Sequence, residues 1–210
     1  MPVPAALSFE AAASLPCAGV TAFNALHGVT RIRPGDIVLV QGTGGVSLLA
    51  LQLAKAAGAR VILTTSDARK AARARDLGAD HVIDYRADAS WGESALAWTK
   101  GRGVDVVVEV GGPATFDQSV AAARPGGVLS LIGVLTGFGG EIAIAKVFQK
   151  RLQVHGIYVG SSQMLDNTVQ AFARNRLEPV IDRVFDFDEA RAAYEHLESG
   201  AHFGKVVIRV

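Results

Sequence analysis

Short apolar runs alternate with alanine-rich amphipathic stretches along most of the chain, from about residue 36 onward. The apolar runs predict six strands, at Asp36–Gln41, Arg60–Thr64, His81–Asp84, Val104–Val110, Gly127–Gly133 and Leu152–Val159. The stretches between them predict helices at about 45–58, 67–78, 90–100, 113–124, 141–150 and 162–175. Runs that are continuously apolar are typical of strands buried on both faces. The repeated strand–helix order therefore predicts an α/β fold with a doubly wound parallel sheet.

The two ends of the chain depart from this repeat. Residues 8–29 predict a helical lead-in that is interrupted at Pro16. Near the other end, Phe185 to Gly200 predicts an amphipathic helix, and Lys205–Val210 predicts a last strand. The pattern therefore divides the chain into a lead-in at 1–30, the strand–helix repeat at 31–180 and a C-terminal helix and strand at 181–210.

Composition narrows the possible partners. The chain has 210 residues, of which 50% are hydrophobic, so it can bury one substantial core. Its 21 Lys and Arg nearly balance its 20 Asp and Glu, which disfavours nucleic-acid and anionic-membrane partners. No apolar run reaches the roughly 18 residues of a membrane span, and Met1-Pro-Val-Pro lacks the basic start of a signal peptide. With a single cysteine, an internal disulfide is impossible, and we expect a cytoplasmic location.

The stretch from Val38 to Lys55 runs from a strand through glycines into a helix, with the pattern Gly42-x-Gly44-x-x-Ser47. This context is typical of a dinucleotide-binding turn. The first glycine permits a tight turn, and the second lets the backbone approach a pyrophosphate on the free N–H groups of the helix. Serine at the third position adds only a hydroxymethyl group, so we expect slightly looser packing and an intact phosphate site. A turn that only connects two elements is the alternative interpretation.

The residues at the end of the second strand distinguish a site for NAD(H) from a site for NADP(H). An NAD site normally has an acidic residue there for the ribose 2′-hydroxyl, whereas a 2′-phosphate needs room and cations. Here Leu63-Thr64-Thr65-Ser66 is followed by Asp67-Ala68-Arg69-Lys70, which predicts that NADP(H) is preferred over NAD(H). Asp67 keeps the NAD interpretation open, because a shift of one residue would place its carboxylate at the ribose. Arg69 and Lys70 could each instead belong to a solvated helix face.

Six segments spread over almost the whole chain match the pattern of one family. They are Leu15-Pro-Cys-Ala-Gly-Val-Thr-Ala22, Gln41-Gly-Thr-Gly-Gly-Val-Ser47, Leu77-Gly-Ala-Asp-His-Val-Ile-Asp-Tyr-Arg86, Arg124-Pro-Gly-Gly127, Leu131-Ile-Gly-Val134 and His202-Phe-Gly-Lys-Val-Val207. On these segments the chain resembles the cofactor-binding half of the medium-chain dehydrogenase/reductases, in the quinone-oxidoreductase-like and zinc-type alcohol dehydrogenase-like branch. The resemblance implies a Rossmann sheet of about six strands, and it makes serine at position 47 an accepted variant.

The resemblance also implies cofactor-binding residues. They are Gly42, Gly44, Gly45 and Val46 at the pyrophosphate, Thr21 at the nicotinamide ribose, Ser66, Lys70 and Tyr85 around the adenosine 2′-phosphate, Gly111, Ile132, Gly133, Val134 and Leu135 at the ribose and nicotinamide, and Lys205 near the pyrophosphate. The implied activity is hydride transfer between nicotinamide and a small-molecule carbonyl, quinone, enone or alcohol.

Members of this family begin with a GroES-like catalytic domain, and this chain starts where that domain would end. The resemblance therefore implies that residues 1–30 lead in from an absent catalytic domain and that residues 181–210 are its returning C-terminal remnant. Both a fragment and a natural short form fit this pattern. We expect no catalytic residue within the chain. The alternatives are a non-catalytic NAD(P)H-binding or dimerisation module and an enoyl-reductase fragment of a larger synthase.

Two further expectations concern metal and self-association. Cys17 matches one catalytic zinc ligand of zinc-dependent members, but such a site needs about three protein ligands. No histidine has ligand spacing with Cys17, so we expect no zinc and a small buried thiol that packs as an apolar residue. Leu152–Val159 resembles the edge strand through which family members pair, and it predicts a homodimer.

No Tyr-x-x-x-Lys pair follows the glycine turn, which argues against the short-chain dehydrogenases.

Overall fold

A computed structural model describes residues 3–210, so the first two residues of the lead-in lie outside the described residues. Six parallel strands form the central sheet: β1 (Ile37–Gln41), β2 (Arg60–Thr65), β3 (His81–Asp84), β4 (Val104–Glu109), β5 (Ala123–Leu131) and β6 (Gln153–Gly156). Their order across the sheet is β3-β2-β1-β4-β5-β6. This arrangement confirms the predicted doubly wound α/β fold.

Helices precede, separate and follow these strands. They are α1 (Phe9–Ser14), α2 (Ala18–Phe23), α3 (Gly45–Ala56), α4 (Ala68–Asp76), α5 (Trp91–Trp98), α6 (Pro113–Ala122), α7 (Ile144–Gln149), α8 (Ser162–Arg174) and α9 (Ala190–Glu198). A π-helical turn at Asn24–Gly28 extends α2. Among residues 3–210, no helix combines the length and the apolar character that crossing a membrane requires.

The core lies on both faces of the sheet because successive strand residues point to opposite sides. Val38 and Val40 of β1 pack in one cluster with residues of α2, α3 and α8. Ile37 and Leu39 of the same strand pack in a second cluster with residues of α5 and α6. A strand with apolar neighbours on both faces has no polar positions to alternate, which explains the continuous apolar runs in the sequence.

Several boundaries differ from the predictions. The helix expected at 113–124 ends at Ala122, and β5 begins at the next residue. The Lys150 ammonium donates hydrogen bonds to the carbonyl oxygens of Val120, Ala121 and Ala123. These bonds give the last carbonyl groups of α6 the donors that the helix itself cannot supply. The strand expected at Leu152–Val159 is shorter, because only Gln153–Gly156 pairs with β5.

The C-terminal region contains a strand that was not predicted. The helix expected from Phe185 to Gly200 begins only at Ala190, because β7 (Ile181–Asp186) precedes it. This strand pairs in parallel with β8 (Lys205–Arg209) in a separate two-stranded sheet. Phe203, which is 1% exposed, anchors this unit in the core shared with α3 and α8. Residues 181–210 therefore pack directly on the main domain, and their place in another domain stays a prediction.

Candidate functional site

A cavity of about 720 Å³ opens at the carboxyl ends of the strands, where the chain leaves β1 and β4. This is the point at which the strand order reverses, since β2 and β3 lie on one side of β1 and β4 to β6 on the other. Doubly wound sheets bind ligands at such a point. The cavity is lined by residues at the ends of five strands: 41–47 at β1, 65–67 at β2, Tyr85 and Arg86 at β3, Val110 at β4, and Ile132 and Gly133 at β5.

The glycine turn forms the floor of this cavity. Gly42 has φ = 72°, a left-handed conformation that glycine adopts at little cost. Gly44 directly precedes α3 at the N-cap position and has no side chain to cap it, so the N–H groups of the first turn stay available to an anion. A Cβ added to Gly45 would lie 2.6 Å from Lys205 Cδ, so the lysine stem lies directly over the start of the helix. The turn thus combines free amides with a nearby ammonium group.

Ser47 links the helix to the strand instead of only filling space. Its side chain is buried, and its hydroxyl donates a 2.6 Å hydrogen bond to the Gln41 carbonyl oxygen. The expected loosening of the packing at the third position is therefore offset by a specific contact.

Hydroxyl groups and a lysine line the end of the cavity next to β2. Ser66 Oγ donates to the Tyr85 hydroxyl at 3.1 Å. Lys70 Nζ donates to the Gly200 carbonyl oxygen at 2.6 Å. Asp67 also lines the cavity, but its Oδ1 atom caps α4 by accepting from the amides of Lys70 (3.0 Å) and Arg69 (2.7 Å). These amides lower the pKa of Asp67 despite partial desolvation of its carboxyl.

The far wall of the cavity comes from the C-terminal unit, and the sequence did not point to it. Leu197, Ser199, Gly200 and His202 line the cavity opposite the glycine turn. The Gly204 amide donates to the Thr43 carbonyl oxygen at 2.9 Å and fixes this wall to the turn. The only feature of the sequence that could have indicated these residues is their position, since they directly precede or begin the matched segment His202–Val207, which contains Lys205.

Three of the residues expected at the cofactor lie outside this cavity. Thr21 is buried on α2. Gly111 is buried, and its amide donates to Gln41 Oε1 and Glu109 Oε1. Val134 lines a second, apolar cavity of about 590 Å³, which shares Ile132 and Gly133 with the first. The other expected residues line the main cavity or, in the case of Lys205, lie against it. The contacts of all the expected residues with a cofactor stay predictions.

A buried carboxylate fixes the two strand ends that flank the reversal point. Glu109 is fully buried, and its Oε1 atom accepts from the amides of Gly111 (2.8 Å) and Gly112 (2.9 Å) and from Thr115 Oγ1 (2.6 Å). Its Oε2 atom accepts from Ser119 Oγ and from Gln41 Nε2. Because its oxygens already accept these five bonds, Glu109 holds the end of β4 and the side chain at the end of β1 together.

The chain does not form a zinc site from its described residues. Cys17 is exposed and has φ = 61°, so the expectation of a buried thiol is wrong. No group of three His, Cys, Asp or Glu within residues 3–210 is placed to hold a metal ion. The residues present therefore do not fit a catalytic zinc ion, which needs about three protein ligands.

Comparison with known proteins agrees with this geometry. A family model described as zinc-binding dehydrogenase matches residues 45–174. A zinc-type alcohol dehydrogenase-like protein of Schizosaccharomyces pombe is 43% identical over 99% of this chain and 62% of its own length. A low-reducing polyketide synthase of Aspergillus calidoustus is 31% identical over 98% of this chain and 9% of its own length. The structure of a mycobacterial protein complexed with NADPH superposes with a TM-score of 0.88 at 30% identity, covering 99% of this chain and 67% of that one. The chain thus spans less than two thirds of either relative.

Proposed function

Because the chain belongs to the zinc-binding dehydrogenase family of the medium-chain dehydrogenase/reductases, we propose that it is the NADP(H)-binding domain of an oxidoreductase. The observation that carries this proposal is the cavity at the reversal point of the sheet, where the uncapped start of α3 faces hydroxyl and lysine side chains at the end of β2. The bound cofactor would supply hydride exchange with a carbonyl, quinone, enone or alcohol. The chain itself would bind and orient the dinucleotide.

In this proposal the glycine turn binds the pyrophosphate. The amides of Gly44, Gly45 and Val46 are the donors, since no side chain caps the helix that they begin. The positive end of the helix adds electrostatic attraction. Lys205 contributes a further positive charge, because its side chain lies over Gly45.

We propose that the 2′-phosphate lies among Ser66, Lys70 and Tyr85. These three side chains offer two hydroxyl groups and one ammonium group in the same cavity. The Oδ1 atom of Asp67 is occupied by the cap of α4, and Arg69 Nη2 lies 3.6 Å from its Oδ2 atom, so both oxygens have partners that compete with a ribose hydroxyl. Both features support a preference for NADP(H) over NAD(H).

The nicotinamide end would lie along Val110, Ile132, Gly133 and Leu135. The side chains of Val110, Ile132 and Leu135 are apolar, so they would contact the ring without taking part in proton transfer. Thr21, Gly111 and Val134 are proposed neighbours of this end on the resemblance alone. We assign no catalytic residue and no zinc ligand within this chain.

The test is calorimetric titration of the 210-residue chain with NADPH and, separately, with NADH. We expect tighter binding of NADPH by about tenfold or more, because a charge-assisted contact to phosphate is stronger than a neutral one. Lys70→Ala should bring the two affinities close to parity. Lys146→Ala is the matched control and should change neither affinity, since Lys146 is an exposed residue of α7 that does not line the cavity. A preference for NADH would overturn the phosphate assignment, and binding of neither dinucleotide would overturn the proposal.

A second candidate is the enoyl-reductase segment of a larger synthase. The match to a polyketide synthase over 98% of this chain favours it. Both candidates share the cofactor site, so binding alone does not separate them. Sequencing the complete transcript that encodes this chain would separate them. Synthase domains in the same reading frame would favour the second candidate.

We also propose that the chain forms a homodimer through the Leu152–Val159 segment. We propose further that it acts on a small-molecule substrate, lies in the cytoplasm and binds neither nucleic acid nor membrane. The near-neutral net charge of +1 supports the absence of these two partners. The exposed edge of β6 supports the dimer, because Val154 there is 39% exposed. Cell fractionation would test the location.

A further inference from the structure

The turn Ser199–His202 lies beside the proposed phosphate-binding lysine. Lys70 Nζ donates to the Gly200 carbonyl oxygen at 2.6 Å, although 130 positions separate the two residues. Ser199, Gly200 and His202 line the same cavity as Ser66 and Lys70. An anion held by Lys70 would therefore lie next to this turn.

His202 is surrounded by groups from several elements. Lys70 of α4 and Asp182 of β7 face it, and the Leu197 carbonyl lies beside it. The ring of His196, on α9, lies 6.4 Å away between ring centroids. Asp182 is already engaged by His196 Nε2 at 2.8 Å and by Arg73 Nη1 at 3.3 Å. Among residues 3–210, His202 Nδ1 has no hydrogen-bond partner within normal distance, and it is buried. The surroundings thus lack a free negative charge that would stabilise an imidazolium.

The charge balance agrees with this geometry. Burial lowers the pKa of His202, and the Lys70 ammonium and the neighbouring His196 ring lower it further. Asp182 and the Leu197 carbonyl act in the opposite direction without cancelling the effect. These contributions favour the neutral ring of His202 at pH 7. A phosphate dianion beside Lys70 would reverse this balance, because its charge would favour the protonated ring.

We propose that His202 is a second specificity-determining residue for the adenosine 2′-phosphate, and that it takes up a proton from solvent when this phosphate binds beside Lys70. The proposal rests on the NADP(H) site proposed above and extends it to the C-terminal unit. The only change in protonation is the gain of one proton by the ring, and no covalent bond between heavy atoms forms or breaks. NADH has no 2′-phosphate, so its binding leaves His202 neutral.

The test compares the wild-type chain with His202→Gln by calorimetric titration with NADPH and NADH between pH 6.5 and 8.0. In the wild type, NADPH binding should take up as much as one proton and should weaken by about fivefold per pH unit as the pH rises, whereas NADH binding should not. His202→Gln should lose this dependence and bind NADPH about fivefold more weakly at pH 6.5, with NADH unchanged. The titration of the phosphate itself has the opposite sign and is common to both proteins.

His81→Gln is the matched control, since His81 is another half-buried histidine that stacks on Trp98 outside the cavity. It should retain the wild-type pH dependence. If His202→Gln keeps the wild-type ratio of NADPH to NADH affinity and the wild-type pH dependence, the inference about His202 is overturned while the proposed function stands. If the wild-type chain binds neither dinucleotide, the proposed function fails and this inference fails with it.

Discussion

The hydroxyl of Ser47 joins the first turn of α3 to the last residue of β1. A hydrogen bond of 2.6 Å to the Gln41 carbonyl is short, and both residues are buried. A buried carbonyl that loses its partner costs about 1 to 3 kcal/mol. Serine at this position therefore stabilises the junction that presents the pyrophosphate amides, and it does so without entering the phosphate site.

Ser47→Ala tests the structural role of the Ser47 hydroxyl. We expect the free energy of unfolding to fall by about 1 to 2 kcal/mol, because the Gln41 carbonyl loses its donor. NADPH affinity should stay within about twofold, since the amides of Gly44, Gly45 and Val46 are unchanged. Urea unfolding and calorimetry measure the two quantities. Ser162→Ala, at the exposed start of α8, is the control and should change stability by less than about 0.5 kcal/mol. A large loss of affinity in Ser47→Ala would contradict this assignment.

Single residues differ in how far the sequence predicts their part in the site. The glycine turn was predictable because its pattern is local: Gly42, Gly44 and Ser47 act through their own backbone and nearest neighbours. The wall at Ser199–His202 was not, because long-range packing of Phe203 and the Gly204–Thr43 bond bring it to the cavity. A single sequence has no local signal for such a contact.

At the scale of elements, Asp105 ties together the amino-terminal ends of three strands. It lies in β4, and its Oδ2 atom accepts from the Ile37 amide of β1 at 2.8 Å. Its Oδ1 atom accepts from Arg124 Nε of β5 at 2.6 Å, and Arg102 donates to both oxygens. Burial alone would raise the pKa of Asp105, but these hydrogen bonds outweigh it and hold the pKa below its ordinary value.

The stability of this junction should depend on pH. A carboxyl whose pKa is lowered by folding stabilises the protein above its unfolded pKa of about 3.9, and this contribution is lost as the pH falls through the folded pKa. Asp105→Asn should therefore lower the free energy of unfolding by about 2 kcal/mol at pH 7. Both arginines are partly exposed, which keeps the loss below that of a fully buried pair.

Urea unfolding of the wild type and Asp105→Asn between pH 7 and pH 3 measures this contribution. The difference between them should begin to shrink below about pH 4, because the carboxyl of the unfolded wild type takes up a proton there while the folded carboxyl stays ionised. Asp76→Asn, on the exposed side of α4, is the control and should follow the wild type at every pH. A difference that stays constant down to pH 3 would show that the carboxylate charge does not stabilise this junction.

Among the elements, the strands of the main sheet were predictable and β7 was not. Val104–Glu109 is buried at every position, so its apolar character is nearly continuous. Ile181–Asp186 contains Asp182, Arg183 and Asp186, and only Phe185 in it is fully buried. A short strand at the surface of a two-stranded sheet has no distinctive apolar pattern, which is why the sequence predicted no strand here and a helix that began already at Phe185.

At the scale of the whole molecule, one edge of the central sheet carries an uncovered apolar surface. β6 is the last strand in the sheet order, and Val154 on it is exposed. Phe138 and Tyr158, which line the second cavity beside β6, are 95% and 97% exposed. An open strand edge next to exposed aromatic rings favours pairing with another strand, and a second copy of this chain offers the same edge.

Val154→Lys tests the proposed homodimer at this edge. We expect the wild type to sediment as a dimer, and the variant to dissociate at least about tenfold more readily, because each copy would bring a charged lysine into the apolar pairing edge. Sedimentation velocity over a range of protein concentrations measures this. Val210→Lys places the same charge on a fully exposed residue beyond β8 and should leave the dimer intact. If the wild type remains a monomer throughout, the dimer is excluded for the isolated chain, and the apolar surface beside β6 needs another partner.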